Sequence, residues 1–275
     1  MLQKYRYYLT SLIKLLLYVR PLSTVLSVFL RKAQTGYKEI NLPGLAVSFK
    51  VRGKMDIWSI KETFLDRFYE RFGVPLGAGW AIIDIGGGIG DFTTFAARAH
   101  ASNIVYAFEP TPQSFALLQE NLKRNHVKNA YAFPQAIWSS ESTLWIDTNA
   151  GEPGQYTSQT GSPGPALAGA VAVHSISLEQ AFQKSGVRHC DLLKMDCEGA
   201  EYAILFNAPA EILSKIQRIV MEYHDNAGQL AGLSEHGKPN THHDLVRFLQ
   251  SQGFIVKDTP NFVHDYLGYL YAFRA

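Results

Sequence analysis

A glycine-rich segment in the first half of the chain has the residue types of a cofactor-binding turn. The segment Asp84-Ile85-Gly86-Gly87-Gly88-Ile89-Gly90 overlaps the end of the apolar run Trp80–Ile85. Glycine accepts positive φ angles and lets a ligand approach the backbone closely. The apolar run predicts a buried parallel strand, and Asp91–Ala99 predicts the helix after the turn. The candidate cofactor-binding residues here are Asp84, Gly86, Gly88, Gly90 and Asp91.

The charge around this turn distinguishes between nucleotide cofactors. The glycine spacing is G-x-G-x-G rather than the G-x-G-x-x-G of dinucleotide folds, and no P-loop Gly-Lys-Ser/Thr follows. Asp84 and Asp91 disfavour a phosphate anion at the helix N-terminus, whereas they suit a cofactor that carries an ammonium and a sulfonium. Glu109 ends the next strand, where a carboxylate can accept hydrogen bonds from both ribose hydroxyls. These residues favour S-adenosylmethionine over NAD.

Polar side chains also follow two later apolar runs. Asp196 comes directly after Asp191–Met195, and Glu222 and His224 lie at the end of the run Ile216–Tyr223. Ligands of open α/β sheets bind at the carboxyl ends of the strands, and residues i and i+2 of an extended segment point the same way. We therefore expect these three side chains to face one cleft. Lys194 lies within the first run and needs a buried acidic partner, for which Glu222 and Asp84 are both candidates.

The elements that must position these residues alternate between strand and helix. This order predicts a mostly parallel sheet with right-handed crossovers. Residues 37–60 are predicted as short strands, 61–72 as a helix, and 148–169 and 225–240 as loops. The other predicted elements are the strands Ile104–Phe108, Ala130–Gln135, Val171–Ile176, Phe254–Val256 and Tyr269–Phe273, and the helices Pro112–Asn125, Gly199–Phe206 and His242–Gln252.

The N-terminus is apolar from Leu9 to Leu30, but Lys14, Arg20 and Pro21 interrupt the run. It is too interrupted for a membrane-spanning helix, and it lacks the cleavage site of a signal peptide. A helix broken near Pro21 is expected. Two interpretations stay open: a helical extension packed on the domain, or a basic amphipathic segment, residues 1–30, that rests on a membrane surface or a partner. The expected domains are 1–60, the extension with short strands, and 61–275.

Composition limits the class of protein. The chain has 275 residues, of which 47% are hydrophobic and 18% charged, and a formal charge of +2. These values are ordinary for a globular α/β protein, and no basic stripe indicates nucleic-acid binding. Two cysteines, Cys190 and Cys197, form neither a disulfide framework nor a zinc site. We expect a cytoplasmic protein, peripheral to the membrane if the N-terminus binds lipid. Oligomeric state is not predicted.

Four segments match a known family in order and spacing. They are Ile82–Thr93, Val105–Pro110, Asp191–Glu201 and Glu222–His224. Over roughly residues 60–275 the chain resembles the FkbM family of S-adenosylmethionine-dependent methyltransferases, and the third segment separates that family from other methyltransferases. The chain departs from the family at Gly87-Gly88, where Ala-Asn is common, and at Cys197, where Val is common.

The resemblance implies a fold and an activity. The fold is the Rossmann-like class I methyltransferase fold, a seven-stranded mostly parallel sheet with helices on both faces and one antiparallel strand near its end. The activity is O-methylation of a sugar, a glycan or a natural product. Ala136 and Ile137 follow the third strand, where methyltransferases usually hold adenine, so they join the candidate cofactor-binding residues, as does Asp196.

Methyl transfer to a hydroxyl needs a group that aligns the acceptor and takes its proton. The candidate catalytic residues are Asp196, Glu222 and His224, with His224 as a base that titrates near neutral pH. Carboxylates and an imidazole could also hold a divalent metal, but a metal is not predicted. Structural roles for Glu222 and His224 stay open.

The sequence also bears on alternatives to O-methylation. The Asn-Pro-Pro-aromatic motif of amine-methylating enzymes does not follow Asp191–Met195, which argues against an amine acceptor. The main alternative is a catalytically degenerate module that binds S-adenosylmethionine and acts through partner or membrane contacts. An NAD-dependent oxidoreductase is disfavoured by the acidic turn.

Overall fold

The apolar runs predicted as buried strands form the centre of the molecule. The structure is a computed structural model and describes residues 2–30, 36–147, 155–157, 170–225 and 239–275. Its strands are β1 Lys38–Leu42, β2 Val47–Val51, β3 Ala81–Ile85, β4 Ile104–Phe108, β5 Ala130–Phe133, β6 Ala136–Trp138, β7 Ser142–Asp147, β8 Gln155–Thr157, β9 Ala170–Ser177, β10 Leu192–Met195, β11 Arg218–His224, β12 Ile255–Pro260 and β13 Leu267–Phe273. Its helices are α1 Leu2–Tyr18, α2 Leu22–Leu30, α3 Lys54–Lys61, α4 Phe68–Arg71, α5 Asp91–Ala99, α6 Pro112–Arg124, α7 Leu178–Ser185, α8 Ala200–Phe206, α9 Ala210–Ser214 and α10 His242–Ser251.

Seven strands form the main sheet, in the order β12-β13-β11-β10-β3-β4-β5. β3 pairs in parallel with β4 and β10, and β10 pairs in parallel with β11. β13 is antiparallel to both of its neighbours, β11 and β12. The predicted class I methyltransferase fold is confirmed, including the antiparallel strand near one end.

The central strands are apolar along their length because both faces of the sheet are covered. On one face, Ile82 of β3 packs in a cluster with Phe92 and Ala96 of α5. On the other face, Ile83 and Ile85 belong to the largest core cluster. Alternate residues of a strand point to opposite faces, so a strand buried on both sides reads as a continuous apolar run.

A second, four-stranded sheet was not predicted. Its order is β6-β9-β7-β8, and its residues Ile137 and Ile146 join the largest core cluster. The strand predicted over Ala130–Gln135 ends at Phe133, and β6 begins at Ala136. The predicted loop 148–169 contains β8, which pairs with β7, and the rest of that segment lies outside the described residues, as do residues 226–238 of the other predicted loop.

The segment before the main sheet corrects two predictions. Residues 38–51 form the predicted short strands, but α3 begins at Lys54, before the predicted helix start at Lys61. Ile57, Ile60 and Phe64 are all buried at helical spacing, so the apolar period begins earlier than expected. A π-helical turn, Glu62–Asp66, follows α3, and the left-handed backbone of Arg67 (φ 52°) separates this turn from α4.

The N-terminal helices are separated near Pro21, as predicted. α1 buries Ser11 and Leu15 on one side of the helix, and Val19, directly after the helix, is buried as well. The buried Lys61 donates hydrogen bonds of 3.0 Å to the hydroxyls of Ser11 and Tyr7. Among the described residues, no helix combines the length and hydropathy needed to cross a bilayer.

A buried ion pair crosses the middle of the main sheet. Lys194 of β10 lies opposite Asp84 of β3, and its Nζ is 3.0 Å from Asp84 Oδ1. Nζ also donates to the carbonyl of Gly86 at 2.8 Å, and Thr93 Oγ1 donates to Asp84 Oδ2 at 2.6 Å. Of the two predicted partners of Lys194, the structure selects Asp84. Burial lowers the pKa of Lys194, but the charges of Asp84 and Asp196 raise it by more than burial lowers it. The net pKa therefore lies above the ordinary value.

Replacing Lys194 tests this ion pair. Lys194→Met should lower the free energy of unfolding by about 3–5 kcal/mol, because it leaves the carboxylate of Asp84 buried without its cation. Urea unfolding followed by circular dichroism measures the loss. The matched control is Lys50→Met, which removes a partly exposed ion pair with Glu120 and should cost far less. Equal losses in the two variants would contradict a special role for Lys194.

Candidate functional site

The carboxyl ends of the central strands open onto one large cavity. Its volume is about 1430 Å³, and residues of α1, α3 and α4 form part of its wall. It brings together most of the residues predicted from the sequence. Those that line it are Gly86, Gly88, Asp91, Glu109, Asp196, Glu222 and His224.

Two glycines of the turn are required for different reasons. Gly86 has a φ of 78°, and a Cβ there would lie 1.8 Å from the carbonyl oxygen of Asp196, so the turn passes directly against the end of β10. Gly88 has a φ of 53° with no atom within 4 Å of the position of a Cβ, so its backbone borders open space in the cavity. A side chain at Gly88 would fill space that is available to a ligand.

Two residues of the glycine segment that were predicted to bind the cofactor lie outside the cavity lining. Asp84 is fully buried, and its carboxylate contacts Lys194 and Thr93 instead. Gly90 precedes α5, where a Cβ would crowd Leu118 of α6. In this structure Asp84 positions the turn through Lys194, and Gly90 allows α5 to pack closely on α6, so direct contact of either residue with the cofactor stays a prediction.

Asp91 lines the cavity at the start of α5. Its Oδ2 accepts hydrogen bonds from Ser59 Oγ at 3.0 Å and from Thr63 Oγ1 at 2.5 Å. Burial raises the pKa of Asp91, although these hydroxyls and Lys194 oppose the shift. Asp91 therefore connects the N-terminal segment to the helix that follows the glycine turn.

Glu109 connects the end of β4 to the glycine turn. Its Oε2 accepts from the backbone N–H of Gly88 and its Oε1 from that of Thr111, both at 2.8 Å. Burial raises the pKa of Glu109, and these two N–H donors and Arg52 partly offset the effect. The carboxylate is thereby held in a fixed orientation beside the turn, with lone pairs that suit hydroxyl donors.

Ala136 and Ile137 lie on a second, much smaller cavity. Its volume is about 10 Å³, and Pro110 and Cys197 also line it. Gly86 lines both cavities, so the small apolar slot adjoins the main cavity at the glycine turn. The predicted adenine residues are thus separate from the catalytic candidates but next to the same turn.

His224 lies between two carboxylates and is nearly fully buried. Its Nδ1 is 3.2 Å from Glu201 Oε1, and its Nε2 is 3.4 Å from Glu198 Oε2. Burial lowers the pKa of His224, but Glu201 and then Glu198 raise it more, to about 10. Both ring nitrogens face a carboxylate and the raised pKa favours the imidazolium, which has no free lone pair for a proton, so this arrangement argues against His224 as the general base.

The same region has a donor set that a metal could use. Ligand atoms of Asp196, Glu198 and His224 lie within 4.8 Å of one another. Glu198 thus takes the place that Glu222 had in the set considered from the sequence. Because an imidazolium cannot coordinate, a cation there would first have to displace the ring proton of His224.

Asp196 and Glu222 form the acidic wall of the cavity. Tyr69 Oη donates to Asp196 Oδ2 at 2.8 Å. Burial and then the charge of Asp196 raise the pKa of Glu222 well above its ordinary value, although His224 opposes the shift. A carboxyl group of raised pKa near an ordered carboxylate is a common arrangement for proton transfer.

Several lining residues were not predicted from the sequence. Burial raises the pKa of Glu62 to about 7, and this carboxyl accepts hydrogen bonds from Tyr7 Oη and Trp58 Nε1. Arg52 binds Asp56 and also lines the cavity. These residues come from α1, from the residue after β2, from α3 and from the π-helical turn, and no motif marks them; only their packing over the sheet edge brings them to the site.

Comparison with known proteins gives consistent matches. The model of the methyltransferase FkbM domain matches residues 84–256. The 31-O-demethyl-FK506 methyltransferase FkbM of Streptomyces tacrolimicus is 26% identical over 242 residues, which cover 79% of this chain and 88% of that protein. Methyltransferase 1 of Beauveria bassiana is 25% identical over 187 residues, with coverage of 62% and 74%. Among solved structures, a putative methyltransferase from Streptococcus mutans in complex with SAH has a TM-score of 0.48 and 13% identity, covering 77% of this chain and 97% of that one.

The environment of His224 predicts a pH effect on stability. Its folded-state pKa of about 10 exceeds the reference value of 6.5. The stabilisation should therefore be complete below pH 6.5 and be lost as the pH rises through about 10. NMR titration of the His224 ring should give the raised pKa, and Glu201→Gln should lower it.

The control is Glu179→Gln, at an exposed carboxylate on α7, which should leave the titration of His224 unchanged. A His224 ring that titrates near 6.5 in the wild type would show that the two carboxylates do not hold its proton.

Proposed function

This chain belongs to the FkbM methyltransferase family, and we propose that it transfers a methyl group from S-adenosylmethionine to a hydroxyl of a sugar, a glycan or a natural product. The observation that carries the proposal is the pair Asp196 and Glu222, which lines the cavity beside Gly86 and Gly88. The pair combines a carboxylate held by Tyr69 with a carboxyl of raised pKa. An alcohol needs such an acceptor for its proton, whereas methyl transfer to a neutral amine has less need of one.

The residues at the turn fit the proposed cofactor. The open space beside Gly88 admits a ligand against the backbone, and Glu109 offers carboxylate oxygens to ribose hydroxyls. The apolar slot of Ala136 and Ile137 adjoins Gly86, but its volume of about 10 Å³ is room for about one water, so an adenine ring there would require the slot to widen. Acidic residues in the main cavity suit a cofactor with two positive groups.

The chemistry divides between the cofactor and the chain. S-adenosylmethionine supplies an activated methyl group, and its sulfur becomes a neutral thioether when the methyl is transferred. The chain aligns the acceptor oxygen and removes its proton. We assign the proton to Glu222, whose raised pKa makes it the stronger base once ionised, and we assign orientation of the hydroxyl to Asp196.

His224 has an indirect role in this proposal. As an imidazolium it offsets the negative charge of Glu198 and Glu201 and favours ionised carboxylates nearby. Its positive charge lowers the pKa of Glu222 and thus opposes the effect of burial. His224 is therefore a positioning residue rather than the base.

The lining of the cavity supports a hydroxylated acceptor. Aromatic rings of Tyr7, Tyr8 and Trp58 line it together with the carboxyl groups of Glu62 and Glu222. Aromatic faces can pack on the apolar faces of sugar rings, while carboxyl groups accept hydrogen bonds from hydroxyls. The name of the Streptomyces relative, a 31-O-demethyl-FK506 methyltransferase, also specifies methylation at oxygen.

Cofactor binding is tested by calorimetric titration with S-adenosylhomocysteine. The wild type should bind with a Kd in the micromolar range or tighter. Glu109→Ala should weaken binding about 10- to 100-fold, because hydrogen bonds to a charged group are lost without replacement. Glu109→Gln keeps one acceptor oxygen and should lose less.

Glu120→Ala, at a partly exposed carboxylate on α6, is the matched control and should bind normally. Unchanged affinity in Glu109→Ala would show that the ribose lies elsewhere. Absence of binding by the folded wild type would overturn the cofactor assignment.

Turnover is tested with matched acceptors that differ only in a hydroxyl or an amine, such as alkyl glucosides and alkyl aminoglucosides. Formation of S-adenosylhomocysteine should require the hydroxyl. Glu222→Gln should lower kcat by about 10²- to 10⁴-fold, the usual contribution of a general base, with little change in cofactor affinity. In the wild type, the rate should rise with pH above the ordinary range of glutamate, as the raised pKa of Glu222 requires.

Asp196→Asn should also impair turnover more than cofactor binding, and Glu179→Gln is the control for both variants. Preference for the amine would contradict O-methylation. Tight cofactor binding without turnover on any acceptor, by the wild type, would favour a catalytically degenerate module.

A further inference from the structure

The N-terminal helices expose many large apolar side chains. We call this exposed surface the outward face of α1 and α2. Tyr5 is 68% exposed, Leu9 and Leu17 are each 60% exposed, and Leu30 is 77% exposed. The exposed large hydrophobic side chains of the two helices are Tyr5, Tyr8, Leu9, Leu12, Ile13, Leu17, Tyr18, Leu22, Leu26 and Leu30.

The outward face is continuous along each helix. In α1, Tyr5, Leu9, Ile13 and Leu17 recur every four residues, on the side opposite to the buried Ser11 and Leu15. In α2, Leu22, Leu26 and Leu30 recur in the same way. Single exposed leucines are normal on a protein surface, but a continuous stripe indicates a surface that another apolar phase covers.

The charge of this segment indicates what covers it. Residues 1–30 contain Lys4, Arg6, Lys14 and Arg20 and no Asp or Glu. The whole chain has a formal charge of only +2, so the positive charge is concentrated here. Lys14 is paired with Asp66, whereas Lys4 and Arg6 are exposed. An apolar helix face flanked by basic residues and tyrosines is typical of a helix that lies in the interface of an anionic bilayer.

We propose that the outward face of α1 and α2 binds an anionic phospholipid surface. Docking of two copies through this face would bring like charges together, which disfavours a homodimer there. The helices lie along the surface and do not cross it. The inference goes beyond the proposed function and does not depend on which molecule accepts the methyl group.

The cavity opens close to this face. Tyr8 of α1 is 40% exposed and lines the cavity, and Phe29, next to Leu30, also lines it. Phe262 and Tyr266 line the cavity as well and are 55% and 42% exposed. Tyr7 Oη binds Glu62, so α1 is attached to the cavity wall itself. Lipid contact through α1 would therefore bring the cavity to the membrane surface.

Vesicle flotation with the full chain tests the proposal. The protein should float with vesicles of equal parts phosphatidylcholine and phosphatidylglycerol, bind much less to phosphatidylcholine alone, and be released by salt. The double variant Leu9→Glu/Ile13→Glu should bind about tenfold or more weakly, because it places charge on the apolar face. Ile255→Glu is the matched control, since Ile255 is 50% exposed on β12, and it should bind normally.

A second double variant, Lys4→Gln/Arg6→Gln, keeps the apolar face and should weaken binding to the anionic vesicles only. Thermal unfolding verifies that each variant is folded, and sedimentation velocity gives the oligomeric state. Absence of vesicle binding by the wild type, or equal binding by Leu9→Glu/Ile13→Glu, would overturn the proposal. A wild-type oligomer that does not bind vesicles and that dissociates in Leu9→Glu/Ile13→Glu would assign the face to protein association instead.

Discussion

The buried ion pair between Asp84 and Lys194 is the interaction on which the rest of the site depends. Two charges in the middle of a sheet are stable only when they meet each other and when their remaining polar atoms are satisfied. Thr93 of α5 and the carbonyl of Gly86 supply those partners. One pair thus joins β3, β10, α5 and the glycine turn, and it fixes where the turn meets the end of β10.

The cavity wall beyond this pair holds more negative than positive charge. The imidazolium of His224 lies among the carboxyl groups of Asp196, Glu198, Glu201 and Glu222. Burial and the charge of Asp196 raise the pKa of Glu222. Such a cluster lowers stability, because like charges repel in a poorly solvated site. It also keeps a carboxyl group ready to exchange a proton. The Asp84–Lys194 pair stabilises the sheet edge at which this cluster is held.

The N-terminal segment belongs to the site as well as to the surface. Tyr7, Trp58 and Glu62 form one hydrogen-bonded group on the cavity wall, while the opposite side of α1 exposes its apolar face. Leu15 and Val19 share a core cluster with Ile89 and Leu117, which lie after the glycine turn begins. The predicted boundary at residue 60, where the family resemblance begins, therefore separates residues that pack together.

The sequence by itself determined the parts that depend on local pattern. Continuous apolar runs specified β3, β4 and β10, and glycine spacing specified the turn at Gly86–Gly90. The predicted strand ends specified Glu109, Asp196 and Glu222, because parallel strands place their carboxyl ends at one edge of the sheet. Tertiary structure decided what depends on distance and burial. It paired Lys194 with Asp84 rather than Glu222, placed His224 between two carboxylates so that it holds its proton, and brought Tyr69 to Asp196 from 127 positions away. Side-chain charge states and contacts between distant segments follow from the packed environment, which no local pattern encodes.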